Sequence, residues 1–423
     1  MDTIKIPGWL RWIALLVASL AMFGNYYLYD SVAYVAKDFI DVLGFSQTHI
    51  GWLYTSYSIA AVIVLFFSGI FIDKYGTKIS ILLFGLIASA AGLVTALSGN
   101  FIVILAGRFL LGLGAEPLIV AITVALAKWF KGKELGFALG VNLFIARAGS
   151  YAADWSPTWG KTIYEMGWQP ALYMASIIGA LCAIGGIIYY LIEKYTQKKF
   201  ILGEGGETDK LELKTLFNFS PSFWYVVILC VTFYSAIFPF RGFAPTFFVE
   251  AHGVSHQLAG QLNSMVIVAS MFATPFIGLL IDKIGKRALM MFIGSIIILP
   301  VYLLLAYGNL NLFIPVTMMG IAFSLIPAVM WPSVAYIVEE KKLGKAYALM
   351  TLIQQIGVAF FAYLLGKLND ISGASVDNPT GYNNGMWALS ILGIIGLVFS
   401  YLLRKQETGP HAHGLEKPSS QIK

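Results

Sequence analysis

Glu116 and Arg147 are the side chains whose positions most need a chemical explanation, because each stands in the middle of a long apolar run. An ionisable group at such a depth costs several kcal/mol unless a partner or a polar pathway receives it. At 1.5 Å per helical residue both lie roughly 20 Å along their runs, near the midpoint. The runs are consecutive, antiparallel and joined by Lys131-Gly132-Lys133, which brings the two charges to one cavity. A guanidinium offers a planar fork to a carboxylate, and a carboxylate receives an ammonium. A zwitterion satisfies both. The plainer alternative is a buried Glu–Arg bridge that only sets helix register.

Gly112, Gly114 and Pro117 surround the glutamate and thin its helix locally. Tyr26, Tyr54, Tyr57, Tyr234, Trp331, Gln354 and Gln355 also fall at the middle of apolar runs and are expected to face the same ligand. The remaining Tyr and Trp belong mostly to the interfacial belts. His411 and His413 are too sparse for a metal site, and no cofactor is expected. No G-x-x-x-x-G-K-[ST] phosphate loop is present, so ATP hydrolysis is excluded and the chain does not read as an enzyme.

The elements that must position these residues are membrane helices. The 423 residues are 58% hydrophobic and only 12% charged, with a mean hydropathy of +0.77, too apolar for a domain surrounded by water. A crossing needs about 20 helical residues. Twelve such runs lie between residues 9 and 404, predicting an all-α membrane protein. The first run has no small-residue cleavage site and is a retained helix. Of the 28 Lys and Arg, most fall on the side of the N-terminus, and Lys37, Lys161 and Lys367 on the other, so both termini are expected in the cytosol. The net charge of +6 is then an orientation signal, and no nucleic-acid partner is expected. Cys182 and Cys230 lie in different runs, and no disulfide is expected.

Two phrases, Gly69 to Gly76 and Gly278 to Gly285, repeat one G-x-x-x-D-x-x-G pattern in the two halves of the chain. They predict a doubled architecture: an N-terminal six-helix bundle (1–193), a cytosolic linker (194–220), a C-terminal six-helix bundle (221–404) and a disordered cytosolic tail (405–423). Leu211 to Phe219 mixes apolar and charged positions as a short interfacial helix does. Repeats of this kind imply rocking about a midplane substrate site. Gly76 and Gly285 permit tight turns, and Asp73 and Asp282 sit at the membrane surface. Arg108, near the start of the fourth run, lines the outer entrance or staples the first helix. Asp30 and Arg241, in the outer thirds of the first and seventh runs, read as parts of an outer gate, and Asp154 is similarly placed.

The repeated phrase resembles the one that closes helix 2 of each half in the major facilitator superfamily. Gly107-Arg108-Phe109, Gly114-Ala115-Glu116, Trp129 to Leu135, Ala146 to Ser150, Phe238-Pro239-Phe240, Leu262-Asn263-Ser264, Trp331 to Ala335 and Leu343 to Tyr347 together resemble its lysosomal dipeptide transporter branch. The resemblance implies facilitated diffusion of small peptides, with Arg147 on the peptide carboxylate and Glu116 on its amino terminus. It implies gating roles for Asp73 and Asp282. The first helix lacks the glutamate- and arginine-bearing signature of proton-coupled oligopeptide carriers, which favours uniport. A proton-coupled carrier of organic anions or sugar acids, and a transport-inactive membrane receptor, are the competing readings. The short loops point to a monomer in a prokaryotic plasma membrane. For a eukaryotic chain the resemblance implies a lysosomal membrane and an accessory membrane subunit.

Overall fold

The computed structural model describes residues 6–130, 134–200 and 219–418, and every regular element among them is helical. Among the described residues eleven helices are long and apolar enough to cross a membrane. One of them, α2 (Gln47–Ala96), has 50 residues, about 75 Å of helix and more than twice a hydrocarbon core. Gly76 breaks it with φ 78° and ψ 165°, so it counts as two crossings end to end, consistent with twelve.

The chain divides into two compact units, Met1–Gly44 with Ser56–Lys210 and Phe45–Thr55 with Leu211–Lys423. In the first, α1 (Gly8–Ser31) packs against α3 (Phe101–Trp129), α4 (Leu135–Asp154) and the pair α5 (Trp168–Gly179) and α6 (Leu181–Lys199). Polar side chains pin this bundle from inside. Asn142 Nδ2 donates to Ser19 Oγ at 3.0 Å, and Cys182 Sγ to the Ala21 carbonyl at 3.3 Å. Glycines set how close the helices come. A Cβ at Gly149 on α4 would lie 2.3 Å from the Phe23 carbonyl oxygen, and one at Gly112 on α3 would lie 2.3 Å from that of Tyr57.

The second unit holds α7 (Pro221–His252), α8 (His256–Ile284), α9 (Arg287–Tyr307), α10 (Phe313–Leu325), α11 (Trp331–Ile337), α12 (Leu343–Ile371) and α13 (Asn383–Glu407). Ser220 and Ser255 cap the starts of α7 and α8 with their side-chain oxygens. The tenth run is not one regular helix. A π-helical turn, Ile326–Met330, separates α10 from α11, where Pro327 and Pro332 each remove a backbone donor from the ladder. The first turns of α2 belong here, with Asp370 accepting hydrogen bonds from Gln47 N (2.9 Å) and Thr48 N (2.8 Å).

The expected tail differs most. Helix α13 continues to Glu407, and residues 408–418 fold back onto the bundle instead of forming a disordered segment, because Glu407 collects their backbone and side-chain donors. The Lys131-Gly132-Lys133 turn and residues 201–218 of the expected linker, with all of its interfacial helix except Phe219, lie outside the described residues.

The close approach at Gly112 is testable against Gly140 on α4, where a Cβ meets nothing within 4 Å. Gly112→Ala forces overpacking and is expected to cost about 1–3 kcal/mol, whereas Gly140→Ala is expected to gain up to about 1 kcal/mol from helix propensity. Thermal unfolding of the purified protein in detergent measures both. Shifts of the same sign would rule out the close-approach account.

Candidate functional site

Glu116 sits on α3 one turn after Gly112, and the close approach at that glycine brings Tyr57 of α2 alongside. Tyr57 Oη donates to Glu116 Oε1 at 2.8 Å. The ring of Tyr29 meets that of Tyr57 edge to face, with centroids 4.8 Å apart. The Arg108 guanidinium stands over both rings at 5.3 and 5.8 Å from their centroids. Arg108 is 1% exposed, and its Nη1 donates to the Leu28 carbonyl of α1 at 3.1 Å.

Arg147 projects from α4 two residues before Gly149, where α4 and α1 touch. Tyr26 on α1 lies in the electrostatic field of Arg147, Glu116 and Asp30 together. Of the residues singled out from sequence, Tyr57 and Glu116 are hydrogen-bonded, and Glu116, Arg147 and Tyr26 lie within electrostatic reach of one another in the first unit, as does the buried Asp30. Asp154 is fully buried and accepts a short hydrogen bond from Tyr34 Oη, which makes it a structural acid at the end of α4.

In the second unit, Trp331 Nε1 donates to Tyr234 Oη at 3.3 Å, and Tyr347 Oη donates to the Trp331 carbonyl at 3.3 Å. Tyr234 stacks on Phe238, centroids 5.2 Å apart. The π-helical turn immediately before Trp331 is what rotates this indole relative to a regular helix. Gln354 and Gln355 are buried on α12. Arg241 is buried, its carbonyl accepting from Asn263 Nδ2 at 3.2 Å, and the Tyr54 ring covers the adjacent Gly242.

The two repeat turns have related backbones, with φ of 78° at Gly76 and 68° at Gly285, and Asp73 and Asp282 are both exposed. Behind the first turn lies a network that sequence reasoning missed. Thr77 Oγ1 donates to both carboxylate oxygens of buried Glu193 on α6, at 3.0 and 2.8 Å, and Lys128 Nζ donates to the same hydroxyl at 3.1 Å. Tyr189 joins Glu193 and receives Trp129 Nε1 at 2.9 Å. Glu250 is likewise buried, accepting from Tyr382, whose hydroxyl accepts from Gln47 Nε2 at 3.0 Å. Both carboxylates sit near helix ends, where acidic residues are ordinary.

Among the described residues no group of His, Cys, Asp and Glu is arranged to hold a metal ion. A carboxylate, a guanidinium and phenols in one polar group inside an apolar bundle recognise charge; they carry no nucleophile with an activating base.

Spanning helices in a doubled arrangement, with charges held inside one bundle, define an integral multi-pass membrane protein. The family model of the Major Facilitator Superfamily matches residues 14–270 and 240–422, and the chain belongs to that family. It is 32% identical over 375 residues to the lysosomal dipeptide transporter MFSD1 of Homo sapiens, covering 86% of this chain and 81% of that one. It is 21% identical over 370 residues to the hexuronate transporter of Bacillus subtilis (strain 168), covering 82% and 86%. A bacterial homologue of the human lysosomal transporter Spinster, solved inward-facing and occupied, superposes with a TM-score of 0.76 at 16% identity over 95% of this chain and 98% of that one, which shows the shared fold.

The Tyr57–Glu116 bond is open to a double-mutant cycle. Interhelical hydrogen bonds in membranes average about 0.6 kcal/mol and reach about 1.7, and the 2.8 Å contact to a carboxyl oxygen places this one toward the upper end. Tyr57→Phe and Glu116→Ala are expected to couple by about 1–1.7 kcal/mol in unfolding titrations in mixed micelles. Strict additivity would mean that the bond contributes nothing.

Proposed function

We propose that this transporter moves dipeptides or similar small zwitterions by uniport, with Arg147 taking the carboxylate and Glu116 the ammonium. The observation that carries the reading is that Glu116 and Arg147, opposite charges on two helices of one bundle, both act electrostatically on Tyr26, while Tyr57 hydrogen-bonds to Glu116. Its chemistry matches the name of the MFSD1 relatives. In the unloaded protein the opposite charges limit each other's desolvation cost, and a zwitterion replaces that compensation when it binds. Tyr57 fixes the carboxylate through its hydroxyl, and Tyr26, within electrostatic reach of both charged groups, is assigned to the wall of the site. Tyr234 and Trp331 are assigned to side-chain tolerance, because aromatic surfaces accept varied apolar groups, and Gln354 to a polar contact with the substrate. Asp73, Gly76, Asp282 and Gly285 are assigned to gating turns, and Asp30, Arg108 and Arg241 to the gate at the other end of the helices. The protein acts as a monomer with both termini in the cytosol.

A second reading rests on the hexuronate transporter relative: a sugar acid bound through Arg147, with Glu116 as a proton-coupling site. The two separate in one assay. Labelled dialanine counterflow in proteoliposomes is expected without a proton gradient, falling at least about tenfold in Glu116→Gln and in Arg147→Ala, as loss of a charge-assisted contact worth about 1.5–3 kcal/mol implies. Uptake of labelled glucuronate that requires an inward proton gradient, with no dialanine flux, would replace the zwitterion reading by the sugar-acid one.

A further inference from the structure

Beyond α13 the chain curls around one buried carboxylate. Glu407 accepts from Ser222 Oγ on the first turn of α7 (2.7 Å), from His413 N (2.9 Å) and from Leu415 N (3.4 Å), and it pairs with His413 Nδ1 at 2.8 Å. This places Leu415, which is wholly buried, against the bundle at the turn between α8 and α9. That turn is the end of the second repeated phrase.

Three contacts tie the segment to it. The Leu415 carbonyl accepts from Arg287 N at 3.0 Å. Glu416 Oε1 accepts from Ala288 N (3.0 Å) and Leu289 N (3.2 Å), satisfying first-turn amides of α9 that have no helical acceptor and placing a negative charge at the positive end of the helix dipole. The Lys417 carbonyl accepts from Arg287 Nη1 at 3.4 Å. The other arm of the same guanidinium reaches Asp282 Oδ1 (3.4 Å) and Tyr336 Oη on α11 (3.0 Å), and its carbon lies 4.2 Å from the Tyr336 ring centroid. One buried arginine therefore joins the segment, the repeat aspartate and α11.

Gly285 carries a second, independent mark of this contact. A Cβ there would lie 2.3 Å from the Lys417 carbonyl carbon, so the segment crosses directly over the turn. At Gly76, the equivalent glycine of the first phrase, a Cβ meets nothing within 4 Å. The strap belongs to the second repeat and has no counterpart at Gly76 among the described residues.

We propose that residues 408–418 are a releasable strap that positions Arg287 and Asp282 and thereby biases the conformational equilibrium of the transport cycle, with Glu407 and Glu416 as its positioning residues. Release is feasible because the gains oppose a large loss. One buried leucine and a few hydrogen bonds stand against the conformational entropy of ordering the whole segment, which leaves docking close to balance. An element near balance shifts populations without unfolding the bundle that bears it.

The test uses the full-length protein and needs no substrate. Both native cysteines are buried, so spin labels go to Tyr75→Cys and Lys342→Cys, and pulsed-EPR distances report the conformer populations while hydrogen exchange reports the Ala288 and Leu289 amides. Deleting residues 409–423, or Glu416→Ala, is expected to raise exchange at those amides about tenfold and to change the population ratio at least about threefold, with the melting temperature unchanged. Glu416→Gln, which keeps an acceptor oxygen, is expected to leave both readouts close to those of the unaltered protein. Faster exchange with unchanged populations would make the segment a passive cap, and unchanged exchange in the point variant would show that Glu416 does not hold the turn. Either result overturns the proposal, and the point variant decides it if the truncated chain does not fold.

Discussion

A carboxylate inside an apolar helix bundle must be met by donors, and the bond from Tyr57 to Glu116 is where this structure meets that demand in the first unit. Glu116 is half-buried, and a neighbouring helix delivers the donor at the correct height. Everything around it follows from that delivery. Gly112 stands one turn before Glu116 because only a hydrogen there lets the Tyr57 backbone approach. Tyr29 and Arg108 then brace the phenol from its ring face, and Arg108 is itself fastened to the Leu28 carbonyl. The same geometry repeats between α4 and α1, where Gly149 brings Arg147 to the helix that carries Tyr26.

Contrast is what makes these charges legible in the sequence. Glu116 and Arg147 stand out because their neighbours along each run are apolar, and the Gly and Asp spacing of the repeat marks the two turns without reference to the rest of the chain. Glu193, Glu250 and Glu407 are buried, yet they lie within the last two turns of their helices, where an acid normally meets water. Their burial depends on donors distant in the chain, such as Thr77, Tyr382 and Ser222. Local pattern carries no trace of such pairings. Trp331 and Tyr234 are legible as mid-helix aromatics, but their hydrogen bond requires the π-helical turn that Pro327 and Pro332 impose.

The C-terminal segment shows the same limit more sharply. Pro410, Ser419 and the flanking charges have the composition of a solvated tail, and composition argues for disorder. Composition averages over residues, however, and two of them decide the outcome. Leu415 supplies the one apolar anchor, and Glu416 finds amides that α9 must leave without helical partners. An unsatisfied helix start is therefore a feature a short acidic sequence can find without any amphipathic pattern.

The two repeat turns, finally, solve one problem by different means. Each needs a left-handed glycine and must steady a surface aspartate at a helix break. The first is steadied from within its bundle, through Thr77, Glu193 and Lys128, all on spanning helices and therefore inseparable from the fold. The second is steadied from outside, through backbone atoms of a segment that crosses Gly285 and can leave it. Doubling a bundle supplies two equivalent turns, but equivalent turns with identical restraints respond identically to anything that binds. Tying one to the core and the other to a strap separates their stabilities, and the Arg287–Asp282 contact is then the place where an influence on the segment reaches the helices.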